Sequence, residues 1–174
     1  MVGLGKLPGD HESVALDVND AGYVVGYSRR NFPGSITGAL TAVVWTPDGS
    51  IFPVPNLGER STWSVAINNA GWVVGQSYDA EGYARGTVWS AENGIVALES
   101  LVDDLDQDYR IFDAYGINDR GQIAAWAWSP YGVSAVLLTP VPEPAAVLLL
   151  GCAASAIALR RQARPVYLAR RCTA

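Results

Sequence analysis

The chain has 174 residues, with 17 Asp and Glu against 12 Lys and Arg and a net charge of −5 at neutral pH. That length bounds it to about one domain, and 18 Gly with 10 Pro spread along it suit a turn-dense β protein. An acidic body with no basic patch excludes nucleic acid as a partner, which needs clustered Lys and Arg against phosphates. Two cysteines, Cys152 and Cys172, give no disulfide framework.

The opening stretch, Met1-Val2-Gly3-Leu4-Gly5-Lys6-Leu7-Pro8-Gly9, lacks the charged start and apolar core of a secretory signal peptide. It begins inside a repeat. An upstream signal peptide and further repeats are therefore expected ahead of Met1.

The repeat is the main organising feature of residues 1–140. Val18-Asn19-Asp20-Ala21-Gly22-Tyr23-Val24-Val25-Gly26 recurs 49 residues later as Ile67-Asn68-Asn69-Ala70-Gly71-Trp72-Val73-Val74-Gly75. It recurs again after 50 as Ile117-Asn118-Asp119-Arg120-Gly121-Gln122-Ile123-Ala124-Ala125. A second half follows each copy: Ala42-Val43-Val44-Trp45-Thr46, Gly86-Thr87-Val88-Trp89-Ser90 and Ala135-Val136-Leu137-Leu138-Thr139. Three units result, at about 4–58, 59–98 and 99–140.

Each unit reads as short strands joined by tight turns. An Asn-x-x-Gly sequence between β-branched and aromatic runs is hairpin chemistry, with Asn19, Asn68 and Asn118 opening the turns and Gly22, Gly71 and Gly121 supplying the left-handed residue. Thr46-Pro47-Asp48-Gly49 is a further turn. Strands are predicted near 13–18, 23–28, 40–46 and 50–54, near 63–67, 72–78, 86–90 and 95–98, and near 112–117, 122–128 and 133–138. Four strands in 40 to 50 residues is the size of a β-propeller blade, so the fold class is all-β, a partial propeller of about three four-stranded units. Leu98, Leu101, Val102 and Leu105 have helical spacing and predict one short amphipathic helix between the second and third units.

Residues with catalytic or ligating potential are few. Asp104, Asp106 and Asp108 have the opening spacing of a calcium loop, but Tyr109 and Tyr115 stand where that loop needs Gly and a bidentate Glu, so a solvated acidic loop is expected. Nothing distinguishes Asp103 and Asp113 as a glycosidase pair from surface acids. His11 is the single histidine and reads as a loop residue. No metal site, no cofactor and no catalytic residue is expected. Trp45 and Trp89 occupy equivalent strand positions and are assigned to repeat packing, whereas Trp63, Trp126 and Trp128 are free to stack on a sugar.

The C-terminal end changes character. Val141-Pro142-Glu143-Pro144 is held extended by its prolines, residues 145–159 carry no charge, and Arg160, Arg161 and Arg164 follow. Helix formers dominate 145–159, which predicts one C-terminal transmembrane helix, short at about 22 Å for a hydrocarbon layer of about 30 Å. Residues 1–144 carry seven basic and seventeen acidic side chains, a net of −10, and residues 145–174 five arginines and no acid. Arginines flanking an apolar segment stay on the cytoplasmic side, so the body is expected to face outward, and 165–174 is a short basic tail.

Two resemblances bear on these features. The Pro-Glu-Pro motif, apolar helix and arginine end over 141–164 resemble the PEP-CTERM sorting signal of exported bacterial proteins. That resemblance implies a Gram-negative envelope protein in transit through the inner membrane, recognised by an exosortase-type enzyme, then released to the outer surface or medium. Val141, Pro142, Glu143 and Pro144 would be the sorting motif and Arg160, Arg161 and Arg164 the stop-transfer cluster. The Ile-Asn-x-x-Gly-x-Val-Val-Gly core of the repeats is similar to that of HAF repeats, a family of extracellular bacterial repeats; it matches well in the first two units and decays in the third, where Ala125 replaces the last Gly. The resemblance implies non-enzymatic cargo. Exopolysaccharide is a candidate ligand, and an uncleaved single-pass binding module for glycan or protein is the alternative.

Overall fold

The computed structural model describes residues 2–31, 38–58, 61–102, 108–141 and the backbone of 166–170. These residues form three antiparallel four-stranded sheets, one for each repeat unit. The first sheet contains β1 (Glu12–Val18), β2 (Val24–Arg30), β3 (Ala39–Trp45) and β4 (Ile51–Pro53), in that order. The second contains β5 (Thr62–Ile67), β6 (Val73–Tyr78), β7 (Ala84–Ser90) and β8 (Gly94–Ala97). The third contains β9 (Arg110–Ile117), β10 (Ile123–Ser129), β11 (Gly132–Val141) and β12 (Val166–Arg170).

Strand positions agree with the predicted ones to within a few residues because the alternation of apolar and turn residues marks both ends of each strand. The first strand of every unit also carries one extra residue. The pairing skips Leu16 opposite Val25 and Gly26, Val65 opposite Val74 and Gly75, and Tyr115 opposite Ala124 and Ala125, a bulge at the same place in each repeat.

Two apolar layers hold the sheets face to face. Val25, Ala42 and Val44 of the first sheet meet Ile67 and Val73 of the second, with Val54 between them. Val74, Val88 and Val96 of the second meet Ile111, Ile123, Ala125, Val136 and Leu138 of the third. Each fully buried side chain of this kind contributes about 1.5–3 kcal/mol. The first strand of each later sheet lies across its predecessor: β5 packs on β1, β2 and β3, and β9 on β5, β6 and β7, while β4 and β8 make no comparable approach to a neighbouring sheet. The described sheets do not close into a ring.

Two expectations are revised. The short amphipathic helix after the second unit is a 3₁₀ turn, Leu98–Leu101, which eclipses positions three apart and so buries Leu98 and Leu101 together. Residues 103–107, including Leu105, lie outside the described residues. The third unit, expected with three strands, has a fourth from the segment read as a basic tail: β12 pairs antiparallel with β11, with Val166 opposite Val141 and Arg170 opposite Leu137. The predicted membrane helix 145–159 lies outside the described residues, and no helix among those described is long and apolar enough to cross a membrane.

Candidate functional site

The repeated turns form a hydrogen-bonded ladder across the three sheets. In each turn the glycine N–H donates to the asparagine carbonyl, at 2.9 Å for Gly22 to Asn19, 3.0 Å for Gly71 to Asn68 and 2.9 Å for Gly121 to Asn118. The asparagine Oδ1 accepts the amide four residues on, from Tyr23 at 3.0 Å, Trp72 at 2.9 Å and Gln122 at 3.0 Å. That use is the turn chemistry expected from the sequence.

The other end of each amide reaches the next unit. Asn19 Nδ2 donates to the Asn68 carbonyl at 3.1 Å, and Asn68 Nδ2 to the Asn118 carbonyl at 3.2 Å. A second set of rungs runs alongside. Asp20 N–H donates to Asn69 Oδ1 and Asn69 N–H to Asp119 Oδ1, both at 2.8 Å. Asn69 Nδ2 bridges the carboxylates of Asp20 and Asp119 at 2.7 and 2.9 Å. At the third unit the pattern ends inward, with Asn118 Nδ2 donating to Gln122 Oε1 of its own turn at 2.9 Å. The structure thus brings Asn19, Asn68 and Asn118 together with their glycines. Sequence reasoning assigned them only the turn.

Beside this ladder, between the first and second sheets, lies an open groove of about 980 Å³. Tyr23, Phe52, Trp72 and Trp89 line it, together with the polar side chains of Asn69 and Glu92. A separate gap of only about 10 Å³ lies beside the second sheet, where Leu101 of the 3₁₀ turn stands with Trp72, Val88 and Val96. Glu99 of the same turn fixes it there: its carboxylate accepts the Ile111 N–H at 2.8 Å and pairs with Arg85 at 2.6 Å, and Arg85 also pairs with Asp79 at 2.8 Å.

The tryptophans divide as their positions dictate. Trp45 is buried and donates its indole N–H to Gly5 at 3.3 Å, while Trp89 is half-buried on the groove. Trp63 packs edge-on against Tyr78 at 6.3 Å. Trp126 and Trp128 are exposed on the outer face of the third sheet, where Phe112 and Tyr115 stand 5.8 and 5.4 Å from the Trp126 ring.

Of the weighed titratable residues, His11 sits on the surface and its Nδ1 accepts the Asn31 N–H at 3.3 Å. Asp113 is buried, and burial pushes its carboxyl above the ordinary range, against the opposing pull of the Tyr115 hydroxyl and the Ala114 N–H. Among the described residues no three His, Cys, Asp or Glu side chains form a group able to hold a metal ion. Of the sorting motif, Val141 ends β11, whereas Pro142, Glu143 and Pro144 lie outside the described residues, as do Arg160, Arg161, Arg164, Cys152 and Cys172. No family model, curated protein or solved structure matches the chain.

Proposed function

We propose that this chain is exported, non-enzymatic β-repeat cargo, a propeller-like stack of HAF-type units addressed to the cell envelope by a PEP-CTERM signal at its C-terminus. One observation carries the reading: the ordered arrangement of Val141-Pro142-Glu143-Pro144, a charge-free run over 145–159 and the cluster Arg160, Arg161 and Arg164. The motif presents an extended backbone to an exosortase-type enzyme, the apolar run holds the chain in the inner membrane, and the arginines stop transfer. Three four-stranded sheets packed face to face in chain order support the propeller-like part.

The test is intact-mass analysis of the protein recovered outside the cell from a host with an exosortase. Loss of everything after the motif, including all five tail arginines, is the expected result. A full-length chain recovered there, or one whose processing is untouched by Glu143→Ala with Pro144→Ala, overturns it.

The aromatic groove favours a second reading, an uncleaved membrane-anchored binding module for glycan. Sugar rings stack on aromatic faces while their hydroxyls meet flanking polar groups, and Tyr23, Phe52, Trp72 and Trp89 with Asn69 and Glu92 offer both. Titration with envelope polysaccharide fragments, followed by tryptophan fluorescence in the parent and in Phe52→Ala, separates this reading from inert cargo.

A further inference from the structure

We propose that the groove between the first and second sheets takes a glycan whose sugars carry free primary amines, the rings lying on its aromatic side chains and an ammonium on Glu92. The inference rests on the glycan reading of that groove, whose sugar it names, and is independent of the sorting signal.

The aromatic walls are set before any ligand arrives. Trp89 is the Cα partner of Val73, the residue after Trp72, so the two indoles reach the groove from neighbouring positions of one sheet. Both are half-buried and packed on the core, Trp72 against the layer shared with the third sheet and Trp89 against the layer shared with the first. Little side-chain freedom is then lost on binding. Tyr23 and Phe52 face them from the first unit, and flat rings of this kind suit the C–H faces of a sugar.

The polar groups of the groove divide into those already used and those free. The Asn69 amide is spent on Asp20 and Asp119. Trp45, the counterpart of Trp89 in the first unit, is buried and donates its indole N–H to the Gly5 carbonyl. The indole N–H groups of Trp72 and Trp89 have no acceptor among the described residues, and neither nitrogen is shut away from solvent. Indole only donates, so each selects a ligand that offers an oxygen. Glu92 is exposed in the turn after β7 and makes no hydrogen bond or ion pair with the described residues, whereas Asp79 and Glu99 of the same unit are both paired with Arg85. No Lys, Arg or His lines the groove to balance it.

Three demands follow for the occupant: apolar faces for the rings, oxygen acceptors for the two indoles and a cationic donor for Glu92. A sugar carrying an acid brings like charge to Glu92 and to a body with a net of −10 over residues 1–144. A quaternary ammonium satisfies the rings and the carboxylate but offers the indoles no acceptor. A neutral sugar leaves the carboxylate without a counter-charge. An unacetylated amino sugar meets all three. The volume of about 980 Å³ stands at the top of the range of about 300–1,000 Å³ for small-molecule sites, and suits a run of several rings.

The experiment is calorimetric titration of the full 174-residue chain in mild detergent and mildly acidic buffer. The probes are a tetramer of β-1,4-linked glucosamine and its N-acetylated form, which keeps the rings and removes the charge. At physiological salt, where charges beyond about 8 Å are screened, the amine form is expected to bind about two- to fivefold more tightly, the gain of one exposed ion pair. Glu92→Gln brings its affinity down to that of the acetylated form, and Phe52→Ala weakens both, with circular dichroism to check that each variant folds. Tetralysine, which has the charges without the ring faces, binds far more weakly than the amine sugar. An acetylated form that binds as tightly as the amine form, or an amine advantage that survives Glu92→Gln, overturns the inference and leaves the glycan reading standing. Tetralysine binding as tightly as the amine sugar overturns it by showing a site for charge alone. Binding of neither sugar, or binding untouched by Phe52→Ala, removes the glycan reading of the groove and this inference with it.

Discussion

Gly71 and Gly75 are four residues apart and are glycine for different reasons. Gly71 has φ +78° in its turn, and a Cβ built there meets nothing within 4 Å, so an alanine costs only backbone strain, about 1–2 kcal/mol. A Cβ on Gly75 would run into the backbone carbonyl of Trp63 on the bulged first strand, as one on Gly26 would run into that of Val14. The third unit has Ala125 at this place, and there the pairing of β10 with β9 shifts a second time, between Trp126 and Ala127. Gly75→Ala is therefore expected to cost more than Gly71→Ala, about 3 kcal/mol, while Ala125→Gly costs about 1 kcal/mol. Urea midpoints rank the three, and the reverse order would remove the close-approach account.

The buried Asp113 gives a pH signature at the same scale. Burial raises its carboxyl above the unfolded value, so the folded state holds the proton more tightly than the unfolded chain. Its contribution is then fully present below the unfolded pKa of about 3.9 and is lost as pH rises through the folded one. Asp113→Asn keeps an acceptor for the Ala114 N–H, now 2.9 Å away, and carries no charge to desolvate. Its Tm should match the parent near pH 4 and exceed it increasingly toward neutrality. A parent whose Tm is flat over that range, or a variant that is less stable at pH 7, contradicts the assignment.

Among elements, the turns show how far the sequence could be read. Hairpins and glycine positions were legible because Asn-x-x-Gly between β-branched runs has few other solutions. The rungs between units were not, since a turn needs only the asparagine oxygen. One clue was present: all three units have Asn where Asp would serve the turn equally, and only an amide offers a donor as well as an acceptor. Asn68→Ala removes both the Trp72 cap and the rung to Asn118 from a buried site, and should cost about 2–3 kcal/mol. Asn118→Ala loses bonds only within an exposed turn and should cost about 1 kcal/mol. Equal losses in denaturant unfolding would mean that the rungs contribute nothing. The groove was equally hidden, because its walls come from two units that only the packing of the sheets brings together, Tyr23 and Phe52 from the first and Trp72 and Trp89 from the second.

For the whole molecule, the strand that sequence reading missed sets a constraint on the proposed route to the membrane. β12 lies beyond an apolar run and among arginines, a context that reads as a tail, and nothing in its five residues announces a partner 25 positions back. Yet Val141 and Val166 are Cα partners across the β11–β12 ladder, so segment 142–165 leaves and rejoins one sheet at the same edge. A single crossing of a hydrocarbon layer about 30 Å thick would put those two residues on opposite sides. Pairing and insertion therefore exclude each other, and a membrane-inserted chain must release β12 and uncover the edge of β11. A chain carrying Val141→Cys and Val166→Cys tests this, since paired Cα atoms in an antiparallel ladder lie about 4.5–5.5 Å apart, within disulfide reach. Under mild oxidation the crosslink should form in the fraction not inserted and be absent from the inserted one, and a preformed crosslink should block processing at the motif. A crosslink found equally in membrane-inserted chains would show that the apolar segment enters and leaves on one face, and the arginines would then have no transfer to stop.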